Sequence, residues 1–169
     1  MREIKFRAKT TVKDEDVAFN NEWVEGDLIF SRRKPYIHPK ANAVNVKGEL
    51  GKIIVMHEVQ VETVCQYTGL KDKNGTEIYE GDIISYGFRN ENEKGIVRFG
   101  THENVSSKNQ GFYVEWTNKW CSYRQDLGYF ANIFEASVIG NIFDNPELLN
   151  NTDKQAGEYA DNEVLKSAT

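Results

Sequence analysis

The side chains best suited to chemistry in this chain are three histidines, His38, His57 and His102, and two cysteines, Cys65 and Cys121. No two histidines share a spacing that would place metal ligands on one element. No cysteine pair has zinc spacing either, so no metal or other cofactor is expected. Cys65 or Cys121 with His57 would make a nucleophile–base pair, but a lone cysteine inside an alternating apolar run reads more simply as a small core residue. Asp27 and Asp82 each follow a glycine, and two such carboxylates could pair; at bends of this kind a carboxylate more commonly bonds the local backbone. Asp72, Asn74 and Glu77 cluster like calcium ligands, yet a calcium loop needs glycine at its sixth position, where Glu77 stands. Gly69, Gly75 and Gly81 recur six residues apart, which suits turns rather than a phosphate cradle. The chain is therefore expected not to be an enzyme.

One constellation points to binding instead. Tyr113, Trp116, Trp120, Tyr123 and Tyr129 are dense in sequence, and Lys119 and Arg124 are interleaved with them. Aromatics beside cations can stack nucleobases, which makes Trp116, Lys119, Trp120, Tyr123 and Arg124 the candidate binding surface. The plainer reading is core and ordinary surface, with Tyr113 alternating against Phe112 and Val114. The formal charge of −5 opposes a general polyanion binder, because phosphate affinity comes from clustered Lys and Arg. A protein partner, or a second copy of the chain, is the preferred expectation, with nucleic acid as the alternative.

The elements that must carry these residues read as short strands. Ile4, Phe6 and Ala8 alternate with charged residues, Trp23–Phe30 is a second strand, and Ile53–Met56, Gly95–Phe99 and Gly111–Trp116 follow. Arg32-Arg33-Lys34 with Pro35 and Pro39 reads as an exposed loop with a small positive cluster, and Thr101–Gln110 as a flexible loop. Leu127–Phe134 suits a short helix or a strand equally. Between these lies a hairpin, Val61–Ile84, turning at Asn74-Gly75, where a two-residue turn wants left-handed backbone at both positions. Glu80-Gly81-Asp82 predicts a bend at Gly81. Asn145, Pro146 and Glu147 announce a short helix, and residues 150–169 form a polar C-terminal tail. No apolar run is long enough to span a membrane, and the first residues lack a signal-peptide core.

Glu25-Gly26-Asp27-Leu28-Ile29 is echoed by Glu80-Gly81-Asp82-Ile83-Ile84, and Glu62–Tyr67 more loosely by Ala136–Asn141. The repetition predicts a diverged duplication, residues 23–70 and 78–143, with Gly26 and Gly81 as equivalent bends. The fold class is then mainly β: small curved sheets, SH3-like and duplicated, with a short C-terminal helix.

Three stretches carry a family resemblance: Arg2–Ala8; Gln66–Gly75 with Ile78–Ile83; and Val138–Leu149. In these the chain resembles the YopX family of phage and prophage proteins, in family order, making residues 1–149 a YopX-like domain. Cys65 departs from the glycine usual at that position. The resemblance implies a phage or prophage gene product in the bacterial cytoplasm and supplies no function. An accessory role in binding a host or phage protein is expected from the missing catalytic set, the acidic charge and the abundant aromatics. It carries over no catalytic residues.

Overall fold

The computed structural model describes residues 2–11, 21–39, 56–86, 93–104, 107–117, 125–128 and 136–149. The protein is mainly β, with two antiparallel sheets, and the chain divides into two compact units. The first comprises Met1–Leu70 with Glu77–Glu80, the second Lys71–Thr76 with Gly81–Thr169.

In the first unit β1 (Phe6–Lys9), β2 (Trp23–Ser31), β3 (Lys34–His38), β4 (His57–Glu58), β5 (Cys65–Lys71) and β6 (Glu77–Tyr79) form a six-stranded sheet. Its order is β4-β3-β2-β1-β5-β6, so the N-terminal strand lies between β2 and β5. The alternation read at the N-terminus holds from Phe6 onward and buries Ala8 completely, whereas Ile4 is exposed and precedes the strand. The sheet curls because residues 58–60 bond on both sides. Val59 N–H donates to the Pro35 carbonyl, while Thr11 and Gln60 N–H donate to the Glu58 and Lys9 carbonyls, 3.0 and 2.8 Å. Thr10 and Val59 form a bridge there. The enclosed core is Ala8, Ile37 and Val59, with Phe6, Val24, Leu28 and Val64 packed against it.

Two backbone positions set the β2–β3 geometry. Gly26 is buried within β2, opposite Phe6, and a Cβ there would land on the carbonyl oxygen of His38. The expected loop at 32–39 is instead a tight turn followed by a strand. Arg32 and Arg33 occupy the two turn positions between the paired Ser31 and Lys34, with φ of 48° and 67°. Left-handed backbone at both sites matches the twist of the flanking strands, which is why a two-residue hairpin demands it. It costs an arginine roughly 1–2 kcal/mol per residue.

In the second unit β7 (Asp82–Tyr86), β8 (Glu93–Asn104), β9 (Ser107–Trp116), β10 (Gln125–Asp126) and β11 (Ser137–Asn141) are ordered β10-β9-β8-β7-β11. Thr101–Gln110, expected as a loop, is the outer half of the β8–β9 hairpin, whose register runs unbroken from Gly95↔Trp116 to Asn104↔Ser107. Polar pairs continue a ladder that Val97 and Val114 begin in the core: Thr101 opposite Gln110, His102 opposite Asn109, and Glu103 opposite Lys108 with an ion pair of 3.5 Å. Gly100 faces Gly111 at the junction of the two halves. β11 returns to β7 with a register shift between Val138 and Gly140.

Three further expectations are corrected. The Asn74-Gly75 turn is wider than two residues: Asp72 N–H donates to the Thr76 carbonyl at 2.8 Å, Gly75 N–H to the Asp72 carbonyl at 3.0 Å, and only Gly75 is left-handed. This is a three-residue loop ending on a left-handed glycine, the next commonest hairpin solution. Gly26 and Gly81 are not equivalent: Gly26 is mid-strand, whereas Gly81 lies at the bend before β7 with φ of 80°. The expected helix start at Asn145-Pro146 forms a single 3-10 turn, Pro146–Leu149, whose Leu148 carbonyl accepts from Lys94 Nζ at 3.0 Å. Ile53–Val55, Tyr129–Phe134 and the tail 150–169 lie outside the described residues.

Gly26→Val is expected to destabilise by about 3 kcal/mol, since β2 and β3 must separate to admit the side chain. Gly75→Ala, where a Cβ meets open space, should lose only about 1 kcal/mol from left-handed backbone. Urea unfolding of both variants checks this ordering.

Candidate functional site

Of the surface expected from sequence, Trp116 is described, while Lys119, Trp120, Tyr123 and Arg124 lie outside the described residues, as do Cys121 and Tyr129. Trp116 ends β9 half-buried, and its ring lies over Gly95, close enough that a Cβ there would meet ring atoms at 2.9 Å. That is a packing arrangement. Tyr113 is likewise buried, with its ring 5.3 Å from that of His102. Phe99 differs: it packs edge-on against Phe112, centroids 5.0 Å apart, and remains 47% exposed.

Among the described residues, one constellation of charged and aromatic side chains is one that sequence reasoning missed. Because Phe6 and Ala8 turn to the core, Lys5, Arg7 and Lys9 share the opposite face of the sheet. Lys5 Nζ lies 5.0 Å from the Tyr67 ring centre and ion-pairs with Glu77, with Glu25 at 3.9 Å. The Arg7 guanidinium lies 4.6 Å from Tyr79 and 4.8 Å from Trp23, and Lys9 Nζ lies 5.6 Å from Trp23. The Tyr79 hydroxyl donates to Glu77 at 2.9 Å. The available signal was the spacing Lys5-x-Arg7-x-Lys9, which by itself suggests only a solvated strand face.

Electrostatics show what these groups do. Burial works against the Lys5 ammonium, but the hydrogen bond and charge of Glu77, aided by Glu25 and Glu3, raise its pKa above the ordinary lysine value. Burial, then the charges of Glu25 and Glu77, pushes the Tyr79 phenol far above its usual range. An ammonium and a phenol held in their protonated forms lock the face together through cation–π and ion-pair contacts. They are poorly placed to act as a base or nucleophile near neutral pH.

Asp72 is a second buried hub. Its Oδ1 accepts the N–H groups of Asn74 and Thr76, both at 2.8 Å, and its Oδ2 accepts Val138 N–H at 3.0 Å. Burial would raise its pKa, but the bonds from Val138, Thr76 and Asn74 more than offset this and hold it below the carboxylate range. The carboxylate thus shapes the loop and fixes the start of β11.

The remaining candidates are scattered. Cys65 is buried with its Sγ–H directed to the Thr63 carbonyl at 3.3 Å. His38 pairs with Asp27 across β2–β3, and His57 with Ile37 across β3–β4. His102 is 1% exposed, and neither ring nitrogen has a hydrogen-bond partner. Asp27 is exposed on β2, whereas Asp82 is buried at the start of β7. Among the described residues no group of three or more His, Cys, Asp or Glu side chains could hold a metal ion.

Two antiparallel sheets with a strand-to-strand hairpin at their junction in sequence define a mainly-β protein of two small units. The YopX protein family matches residues 5–150, and the chain belongs to that family. It is also similar to the crystal structure of protein EF1440 from Enterococcus faecalis, at 24% sequence identity and a TM-score of 0.47, covering 88% of this chain and 99% of that one. No curated protein matches the chain.

Asp72→Asn is expected to lose about 2 kcal/mol at neutral pH, because its amide would turn a donor toward one of three N–H groups. A depressed folded pKa contributes stability that is fully present above the unfolded value of about 3.9 and lost as pH falls through the lower folded value. Denaturation from pH 6 to pH 2 should therefore show wild type losing stability below about pH 4, with that component absent in Asp72→Asn.

Proposed function

We propose that this chain is a non-enzymatic phage or prophage accessory protein that acts in the bacterial cytoplasm by binding a host or phage protein. A second copy of the chain is the other partner such a surface would accept. The observation that carries this reading is the presentation of aromatic side chains on hairpins: Phe30 on β2 is 63% exposed and Phe99 on β8 is 47% exposed. Burying one phenylalanine contributes about 1.5–3 kcal/mol, and aromatic anchors of this kind dominate protein interfaces. The charged groups of the β1 face and Asp72 are meanwhile engaged within the fold. In each unit a meander is followed by a strand that returns to the sheet, which supports an SH3-like plan used twice at the level of strand order. It does not extend to the two glycines. Among the described residues no helix is long and apolar enough to cross a membrane.

The test is a tagged pull-down from bacterial lysate, with and without nuclease, read by mass spectrometry and repeated with Phe30→Ala and Phe99→Ala. A protein retained in both arms and weakened by at least one substitution is the expected result. Retention that disappears with nuclease would instead support the nucleic-acid alternative centred on Trp116, Lys119, Trp120, Tyr123 and Arg124. Identical capture by all three proteins would remove the aromatic basis of the reading.

A further inference from the structure

The tip of the β2–β3 hairpin combines three features that its structural role does not require. Its backbone is left-handed at Arg32 and Arg33. Asn-Gly would fill such a turn with far less steric penalty. Both arginines are exposed, and among the described residues their side chains make no ion pair or hydrogen bond, whereas the neighbouring Lys34 is bonded to Glu58 at 3.1 Å. Beside them Phe30 is 63% and Ile29 39% exposed. Strained backbone held at an exposed site is evidence of a role for its side chains. The turn is anchored by unbroken pairing from Asp27↔His38 to Ser31↔Lys34, so its side chains project from an ordered base.

We propose that this tip docks an acidic segment of a protein partner. Arg32 and Arg33 take two of its carboxylates, and Phe30 takes an apolar side chain. The proposal rests on the protein-binding reading above and names its site and the partner's chemistry. Guanidinium forks match carboxylates bidentately, and arginine with phenylalanine is the pairing enriched at interface centres. A nucleic acid fits less well. The chain carries a formal charge of −5, and Glu25 and Asp27 are exposed on the same strand as Phe30. Phosphate backbones need several clustered cations to bind tightly.

The double variant Arg32→Asn/Arg33→Gly tests this. The full-length chain is titrated into two fluorescein-labelled probes: a ten-residue peptide alternating Glu and Asp with Leu and Phe, and a single-stranded oligonucleotide. Relative to wild type, the variant should melt about 2–4 °C higher as the turn relaxes. It should bind the peptide about tenfold or more weakly. Phe30→Ser should weaken peptide binding without the rise in Tm. A lower Tm in the double variant would make the arginines structural and overturn the proposal. Unchanged peptide affinity would overturn it too, as would tighter, arginine-dependent binding of the oligonucleotide. If the double variant still retains a pull-down partner as wild type does, the tip is wrong and the protein-binding reading stands. If nuclease abolishes every capture, that reading fails itself.

Discussion

One buried carboxylate organises the middle of the chain. Asp72 accepts three backbone N–H groups from two segments far apart in sequence, Asn74 and Thr76 in its own loop and Val138 at the head of β11. Lys73 N–H adds a bond to the Ala136 carbonyl beside it. A neutral acceptor could satisfy part of this set, but full ionisation makes each bond charge-assisted and roughly twice as strong. The geometry of β11 against β7 follows from that start. The bulge at Val138–Gly140 and the Asn141 side chain, which accepts from Phe143 and Asp144 N–H, then lead the chain into its final 3-10 turn.

The first unit relies on curvature. A strand of two residues, β4, would contribute little to a flat sheet, yet residues 58–60 bond both β3 and the end of β1 and so close the sheet around Ala8. The core inside is small, and the opposite face is held by Lys5, Arg7 and Lys9 against Tyr67, Tyr79 and Trp23. Long cationic side chains cover aromatic surface well, because their stems are apolar while their heads meet carboxylates and ring faces.

Much of the strand layout was legible because it rests on local rules. Alternation exposed β1, a run of strand-forming residues exposed β2, and the Asn74-Gly75 signal placed the β5–β6 hairpin. The Gly81 bend follows from its setting between two apolar runs, and the family motifs are contiguous. What sequence could not show depends on partners distant in the chain. Thr101–Gln110 looks like a loop by composition, but its register is inherited from Val97 opposite Val114. Arg32-Arg33 lacks every usual turn residue, so only the paired flanks reveal a two-residue hairpin. The Glu-Gly-Asp echo misled because one glycine makes room for a carbonyl within a strand while the other turns the chain. For the candidate surface, Trp116 proved to be packing over Gly95, a contact that needs the cross-strand pairing to be seen.

The facing glycines of the β8–β9 hairpin have a dynamic consequence. At Gly100 opposite Gly111 no side chain bridges the strands, so that rung has only its backbone. Inward of it lie Val97, Val114 and Ile96, buried, and outward lie Thr101, Glu103, Lys108, Asn109 and Gln110, exposed, with His102 buried among them. Such an arrangement divides one continuous ladder into two cooperative segments. Amide hydrogen exchange in the outer segment proceeds by local opening, while the inner amides exchange only when the sheet itself unfolds. The hairpin is thus structurally a single element and energetically two, with the pair of glycines as the seam.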